Sequence, residues 1–212
     1  MTHEPSPARR ASDTPRGHGG AADGIHEWVR LAEVPPGTLD QDPGISLYRP
    51  AVVPRGHRLL DIGRRLGRGR AVFDRTVRGL AAWEMHRLSG IDVGDPAGGP
   101  ARPVDLGVRV RLRPRRGPAA LARVTAPCLV VGLVDHPGVE WGFAYATLPG
   151  HPESAEESFV VTRDERTDEV RVRICAVSRP ASRLARLAGP VGRLEQDRMT
   201  GSYLAAFRDL AA

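Results

Sequence analysis

Residues 170–178 read VRVRICAVS, and this stretch decides the fold class. Its even positions, from Val170 to Ala176, are apolar, and positions 171 and 173 are arginines. A period of two is that of a β-strand with one buried face. The preceding residues 164–168, DERTD, predict a hairpin turn that pairs this strand with another from Ser158 to Arg163. The sequence therefore predicts an antiparallel sheet.

Further strands precede this hairpin. Between Val108 and Arg113, apolar residues alternate with arginines, so one face of that strand is buried and the other is charged. Cys128 to Val134 is apolar on both faces, which predicts a central strand. Trp141 to Leu148 is predicted to continue the sheet. His57 to Leu66, near the start of the domain, is also strand-like.

Two segments have a helical period instead. Apolar residues between Ala71 and Leu88 recur at three- and four-residue spacing, which predicts one amphipathic helix. The same period runs from Leu184 to Leu210, and we expect Gly189-Pro190 to break or kink that helix near its start. The predicted fold is therefore α+β, a curved antiparallel sheet with a long C-terminal helix packed across it.

The chain divides into three parts by composition. Residues 1–24 are rich in Pro, Gly, Ser, Arg and His and have no periodic apolar positions, which predicts a disordered tail. Residues 25–54 mix apolar residues with Pro-Gly interruptions, and we interpret them as an irregular arm laid on the domain. Residues 55–212 form the folded domain.

The net charge of +6 and the isoelectric point of about 10.5 raise the question of an anionic partner. All 31 basic residues are arginines, and this usage, with abundant Ala, Gly and Pro, is typical of a GC-rich coding sequence. Eight arginines between Arg55 and Arg78, extended by Arg109, Arg111 and Arg113, could form an anion-binding patch. No aromatic residues alternate with them, as stacking on single strands needs. Binding of nucleic acid or another anion is therefore the third-ranked hypothesis.

Location and cofactors follow from what the sequence lacks. It has no run of about 18 apolar residues and no segment built like a secretory signal, so we expect a cytoplasmic protein that does not enter the membrane. Cys128 and Cys175 lie in apolar, strand-like segments without metal-ligand spacing, and we interpret both as core residues. We expect neither a metal nor a cofactor.

Several motifs of the chain are similar to those of one known family. They are Leu66-Gly67-x-Gly69 followed by Phe73, Trp83-x-Met85-His86-Arg87, the block from Gly142 to Glu153 with Glu156-Glu157 and Phe159, and Ser178-Arg179-Pro180. From about Pro54 to Leu210 the chain resembles the domain-of-unknown-function family DUF1990, which is grouped with the START-like, or helix-grip, folds. The resemblance implies a cavity, because related folds bind lipids, hormones and polyketides and a few catalyse cyclisation or hydrolysis.

The first functional hypothesis is a binding protein for a small, largely apolar molecule held between the sheet and the last helix. Ligand sites of this kind are mostly apolar, with a few polar groups that fix orientation. The expected cavity walls are Trp83, Phe143, Tyr145, Phe159 and Tyr203. His86, three residues beyond Trp83, is expected on nearly the same helix face, and Glu157 on the same sheet face as Phe159.

The second hypothesis is an enzyme, a hydrolase or cyclase that uses His151 with Glu156 or Glu157. The turn at Pro149 to Pro152 is expected to bring this histidine close to the carboxylates that follow it. A carboxylate fixes the tautomer of a neighbouring histidine and raises its basicity, as a general base requires. A purely structural turn explains the same residues. By strand alternation, Glu157 faces the cavity and Glu156 looks outward, and the sequence as a whole favours binding over catalysis.

Overall fold

The computed structural model describes residues 29–34, 38–39, 45–47, 53–121, 123–180 and 189–212. The predicted disordered tail, residues 1–24, lies outside the described residues, as do most of the predicted arm and the residues 181–188 that precede the last helix.

Among the residues described, eight antiparallel strands form one sheet, and its strand order is β2-β8-β7-β6-β5-β4-β3, with β1 paired to β5 outside this path. The strands are β1 (Val29–Leu31), β2 (Arg58–Arg68), β3 (Ile91–Gly94), β4 (Arg109–Pro114), β5 (Ala126–His136), β6 (Glu140–Thr147), β7 (Glu153–Arg163) and β8 (Glu169–Pro180). The sheet predicted from the alternating segments is confirmed.

Four helices accompany the sheet in the described part of the chain. They are α1 (Arg70–Ala81), α2 (Glu84–Leu88), α3 (Pro118–Leu121) and α4 (Gly189–Ala211). The rings of Tyr203 and Phe207 on α4 lie 5.3 and 6.3 Å from that of Phe159 on β7, so α4 packs on one face of the sheet, called the inner face below. This is the helix-grip arrangement, and the predicted fold class is confirmed.

The described part of α4 begins at Gly189. Residues 181–188, which precede it, lie outside the described residues, so the break or kink expected at Gly189-Pro190 stays a prediction.

The single helix predicted from Ala71 to Leu88 is wrong, because the chain breaks at Trp83. This residue has a left-handed backbone conformation, with φ of 63°, and it separates α1 from α2. Its side chain is fully buried, and its indole N–H donates a 2.8 Å hydrogen bond to the carbonyl oxygen of Arg102. The break thus places a large ring in the core with its one donor satisfied.

Both faces of β5 are covered, as its continuous apolar sequence predicts. Val130 and Leu133 belong to the inner core, whereas Val131 and Val134 belong to a second apolar cluster on the outer face. A bulge between Val130 and Gly132 shifts the register with β6 and reverses the alternation at this point.

The outer cluster is closed by the described part of the N-terminal arm. Leu47 is buried there against the outer faces of β5, β6 and β7. The arm is also less irregular than expected, because Val29–Leu31 form β1 and pair with Val134, Leu133 and Gly132 of β5. The outer face is therefore a second buried layer.

The strand β7 begins at Glu153, five residues before the predicted start at Ser158. The carboxylates that follow the Pro149 to Pro152 turn consequently lie in the ladder. Glu157 pairs directly with Tyr145, and Glu156 pairs with Ala146. Adjacent strand residues point to opposite faces, so the two glutamates lie on opposite sides of the sheet.

Candidate functional site

The aromatic residues predicted to line a cavity all lie together on the inner face. Trp83, Phe143 and Phe159 are fully buried, with ring centroids 5.2 Å apart for Trp83 and Phe143 and 5.7 Å apart for Phe143 and Phe159. Tyr145 and Tyr203 adjoin the same cluster. Within the described part of the chain these rings pack against one another rather than surround an open cavity.

His86 lies inside this aromatic cluster and is fully buried. Its ring centroid is 5.3 Å from that of Phe159, 5.7 Å from that of Tyr203 and 5.9 Å from that of Tyr145. Neither of its ring nitrogens has a hydrogen-bond partner. Burial, and to a lesser degree the charge of Arg87, lowers the pKa of His86 to about 3, so the ring is neutral. A buried imidazole with both nitrogens unpaired is costly, and most buried polar groups avoid this state.

Tyr145 and Glu157 face each other across the β6–β7 ladder. The Tyr145 hydroxyl donates a 2.6 Å hydrogen bond to Oε2 of Glu157. Tyr203, on α4, lies close enough to both side chains for each to influence its pKa. We call Tyr145, Glu157 and Tyr203 the polar trio. It links the sheet to the last helix through polar atoms in an otherwise apolar core.

The protonation of the polar trio is set mainly by burial. Burial raises the pKa of Glu157 to about 7, with the hydrogen bond from Tyr145 lowering it and the charge of Glu153 raising it. Burial first, and then the nearby Glu157, raise the pKa values of Tyr145 and Tyr203 well above their usual range. Near neutral pH both tyrosines keep their protons, while Glu157 exchanges between its acid and its carboxylate.

A strip of half-buried residues continues the inner face beyond the polar trio. Ala176 pairs with Glu157 and Leu60 pairs with Ala176, while Thr147 and Ala155 lie two positions from Tyr145 and Glu157 on the same face. We call Leu60, Thr147, Ala155 and Ala176 the inner-face strip. Glu157 is itself half-buried, in contrast to its buried neighbours Tyr145 and Phe159. The polar trio therefore stands at the border between a closed aromatic core and a more accessible part of the same face.

The structure does not bring His151 and the two glutamates together. The His151 ring accepts a 2.9 Å hydrogen bond at Nδ1 from the backbone N–H of Glu153, and burial lowers its pKa to about 4. Glu156, predicted to look outward, is on the outer face but is fully buried there. Its Oε1 accepts hydrogen bonds from the backbone N–H and the hydroxyl of Ser46, both 2.7 Å long. The sequence gives no local signal for this contact, because the partners are 110 residues apart.

Two groups of arginines that could have formed one anion-binding patch are far apart in the sheet. Arg58 to Arg68 lie on β2, at one end of the strand order, and Arg109 to Arg113 lie on β4, next to the other end. A cleft of about 530 Å³ near β2 is lined by both arginines and carboxylates. The arginines are Arg68, Arg163 and Arg171, and the carboxylates are Glu140, Asp164 and Glu169. Its mixed charge does not favour an anion.

In the part of the chain that the structure describes, no three His, Cys, Asp or Glu side chains are grouped as metal ligands would be. None of the helices in that part is both long and apolar enough to cross a bilayer.

Comparison with known proteins assigns the chain to a family. The model of a family described as a domain of unknown function, DUF1990, matches residues 42–206. The chain belongs to the DUF1990 family. This confirms the resemblance of its motifs, and the block at 142–159 that carries much of it forms β6 and the first part of β7. In this DUF1990 chain, that block supplies Tyr145 and Glu157 to the inner face and Glu156 to the outer face.

Other comparisons extend the description of the DUF1990 fold. No curated protein matches the chain in sequence. A hypothetical protein of Helicobacter pylori is similar in structure, with 11% identity, coverage of 97% of this chain and 100% of that one, and a TM-score of 0.51. Norcoclaurine synthase from Thalictrum flavum, in complex with dopamine and hydroxybenzaldehyde, has 13% identity, coverage of 73% and 86%, and a TM-score of 0.44. At 11% identity the likeness to the Helicobacter pylori protein concerns the fold alone.

Proposed function

We propose that this DUF1990 protein binds a small, largely apolar molecule between the inner face of the sheet and α4, beside the polar trio. The observation that carries the proposal is the position of Glu157. It is a half-buried carboxylate on an apolar face, bonded to one tyrosine and next to the inner-face strip. A few polar groups in mostly apolar surroundings are what a small-molecule site requires.

The energetic cost of these groups supports a functional role. Both groups lower the stability of the folded state. The ring nitrogens of His86 are buried without hydrogen-bond partners. Burial disfavours the charged form of Glu157, as its raised pKa indicates. Leucine or phenylalanine would pack such a core without this penalty. Proteins retain unfavourable polar groups mainly where function needs them.

The enzyme hypothesis built on His151 receives less support from the contacts of that residue. Its ring bonds to the backbone of Glu153, and Glu156 bonds to Ser46 across the sheet. A general base needs its carboxylate partner and its substrate within hydrogen-bond reach. We therefore rank binding above catalysis.

Native mass spectrometry of the protein purified from its own host tests the proposal. We expect a retained small molecule, seen as a mass shift that disappears when the protein is denatured. The variant Ala155→Leu fills the inner-face strip and should lose that mass. Its control, Ala97→Leu, adds the same bulk at an exposed position far from the strip in sequence and should keep it. Absence of any ligand from the wild type, or equal retention by both variants, contradicts the proposal.

A further inference from the structure

We propose that the group recognised by Glu157 is a protonated amine, carried on the apolar ligand of the site. This inference rests on the proposed function and names the chemical class of the ligand. It is carried by the absence of a cationic partner for Glu157 and by the aromatic rings around it.

Glu157 differs from other carboxylates of the sheet in its charge pairing. The chain has 31 arginines, and other carboxylates on the sheet use them, as Asp61 does with Arg173 and Glu169 with Arg65. Among the described residues, no arginine or histidine forms an ion pair with Glu157, whose hydrogen bond comes from the neutral Tyr145. Fully buried carboxylates are almost always paired, and partial burial imposes part of the same cost on Glu157. In a protein this rich in arginine, the missing cation is one that a ligand can supply.

The surroundings of the Glu157 carboxylate favour a cation. The charge of Glu153 makes the local potential more negative, which disfavours an anionic ligand and favours a cation. The rings of Tyr145 and Tyr203 border the carboxylate, and aromatic rings attract ammonium groups. Among the described residues, no arginine or histidine is among the groups that shift the pKa of Glu157.

His86 is a second polar group near this site, fully buried among the rings of Tyr145 and Tyr203. Both of its ring nitrogens are unpartnered in this structure. Because its ring lies against two members of the polar trio, its NMR signals report on a ligand that binds beside Glu157.

Three probes of equal chain length separate this inference from the proposed function: hexylamine, 1-hexanol and hexanoate. Their dissociation constants are measured by calorimetry, with the His86 ring signals followed by NMR. We expect hexylamine to bind about tenfold more tightly than 1-hexanol, as a charge-assisted hydrogen bond implies, and hexanoate to bind most weakly. Glu157→Gln should remove the preference for the amine. Glu165→Gln, which removes a negative charge at the exposed 164–168 turn, should retain it.

The outcomes distinguish the two proposals. If all three probes bind equally well and shift His86, the small-molecule site stands and the amine inference is overturned. Tighter binding of hexanoate also overturns it. If no probe binds at any accessible concentration, both proposals are overturned. The wild-type comparison needs no variant, so it decides the matter even if Glu157→Gln folds poorly.

Discussion

The hydroxyl of Tyr145 donates a 2.6 Å hydrogen bond to Glu157 from the strand position directly opposite it, on the face that α4 covers. The neighbouring Glu156 makes its bonds to Ser46 on the other face. Two adjacent glutamates thus serve different layers of the molecule. One holds the arm on the sheet, and we assign the other to a ligand.

Glu156 should prove to be a structural residue. Replacing it by Gln puts an amide where a carboxylate accepts two hydrogen bonds from Ser46, in a fully buried place. We expect the free energy of unfolding to fall by about 1–3 kcal/mol, the usual cost of disturbing buried polar partners. Urea unfolding measures it. Ser46→Ala should give a smaller loss, because the backbone N–H of Ser46 still donates, and an unchanged midpoint in both variants would contradict the assignment.

Glu157→Gln should have a free energy of unfolding similar to that of the wild type or higher. The difference between the two proteins should depend on pH. Because the folded-state pKa is raised to about 7 from an ordinary value near 4.5, the folded protein holds this proton more tightly than the unfolded chain does. The contribution of Glu157 to stability is therefore lost as the pH rises between those values. We expect the variant to gain roughly 1–3 kcal/mol relative to wild type over that window. The other groups that face Glu157 do not differ between the variant and the wild type. They are Glu153, Cys128, Tyr145, Tyr203 and Ala176 with its strand.

Urea unfolding of both proteins across this pH range is the test. A gap that stays constant, or one that closes as the pH rises, would show that Glu157 is not held in an unfavourable environment. Equal destabilisation by Glu156→Gln and Glu157→Gln would contradict the division of roles between the two faces.

His86→Phe should stabilise the protein, most strongly in acid. Burial lowers the folded-state pKa of His86 to about 3. Below about pH 6.5 the unfolded chain therefore binds a proton at this residue, whereas the folded protein does not. Wild-type stability therefore falls as the pH decreases through that range, and the phenylalanine variant lacks this loss. Thermal melting at pH 7 and pH 5 measures the effect. A variant that loses more stability than wild type at pH 5 would indicate that the imidazole has a partner.

Gly142 should tolerate no side chain, although its backbone conformation is ordinary for a strand. A Cβ atom there would lie 2.4 Å from the carbonyl oxygen of Phe159 and 2.8 Å from Cα of Val160, both backbone atoms. We expect Gly142→Ala to cost about 3 kcal/mol or more. Gly63, on β2, is the matched control, because its Cβ would meet the Val172 carbonyl oxygen at an ordinary 3.5 Å. Equal melting temperatures of the two variants would refute this prediction.

The alternating segments were predictable because burial of one face imposes a period of two on any strand. This holds for Val170 to Ala176, and the uninterrupted apolar run of β5 correctly indicated two covered faces. The grouping of Phe143, Tyr145 and Phe159 followed from the same rule. Their packing into a closed core did not, because alternation fixes a face and says nothing about the space beyond it.

The features that were missed depend on distant partners. The helix break at Trp83 is linked to a carbonyl 19 residues away, and the burial of Glu156 to a serine 110 residues away. A helical period continues through Trp83 in the sequence, so nothing local indicates the break. The Tyr145–Glu157 bond could have been derived only with the correct start of β7, which the Pro149–Pro152 turn obscured.

Chemical-shift mapping of 1-hexanol binding by methyl NMR tests most directly whether a ligand site lies on the inner face beside Glu157. The methyl groups of Thr147, Ala155 and Ala176 report on the inner-face strip, and those of Ala144 and Ala146, in the outer layer, serve as internal controls. We expect saturable shifts of the three methyl signals in the inner-face strip and no shift of the two control methyl signals. Shifts confined to Ala144 and Ala146, or no saturable shift at any methyl group, would contradict it.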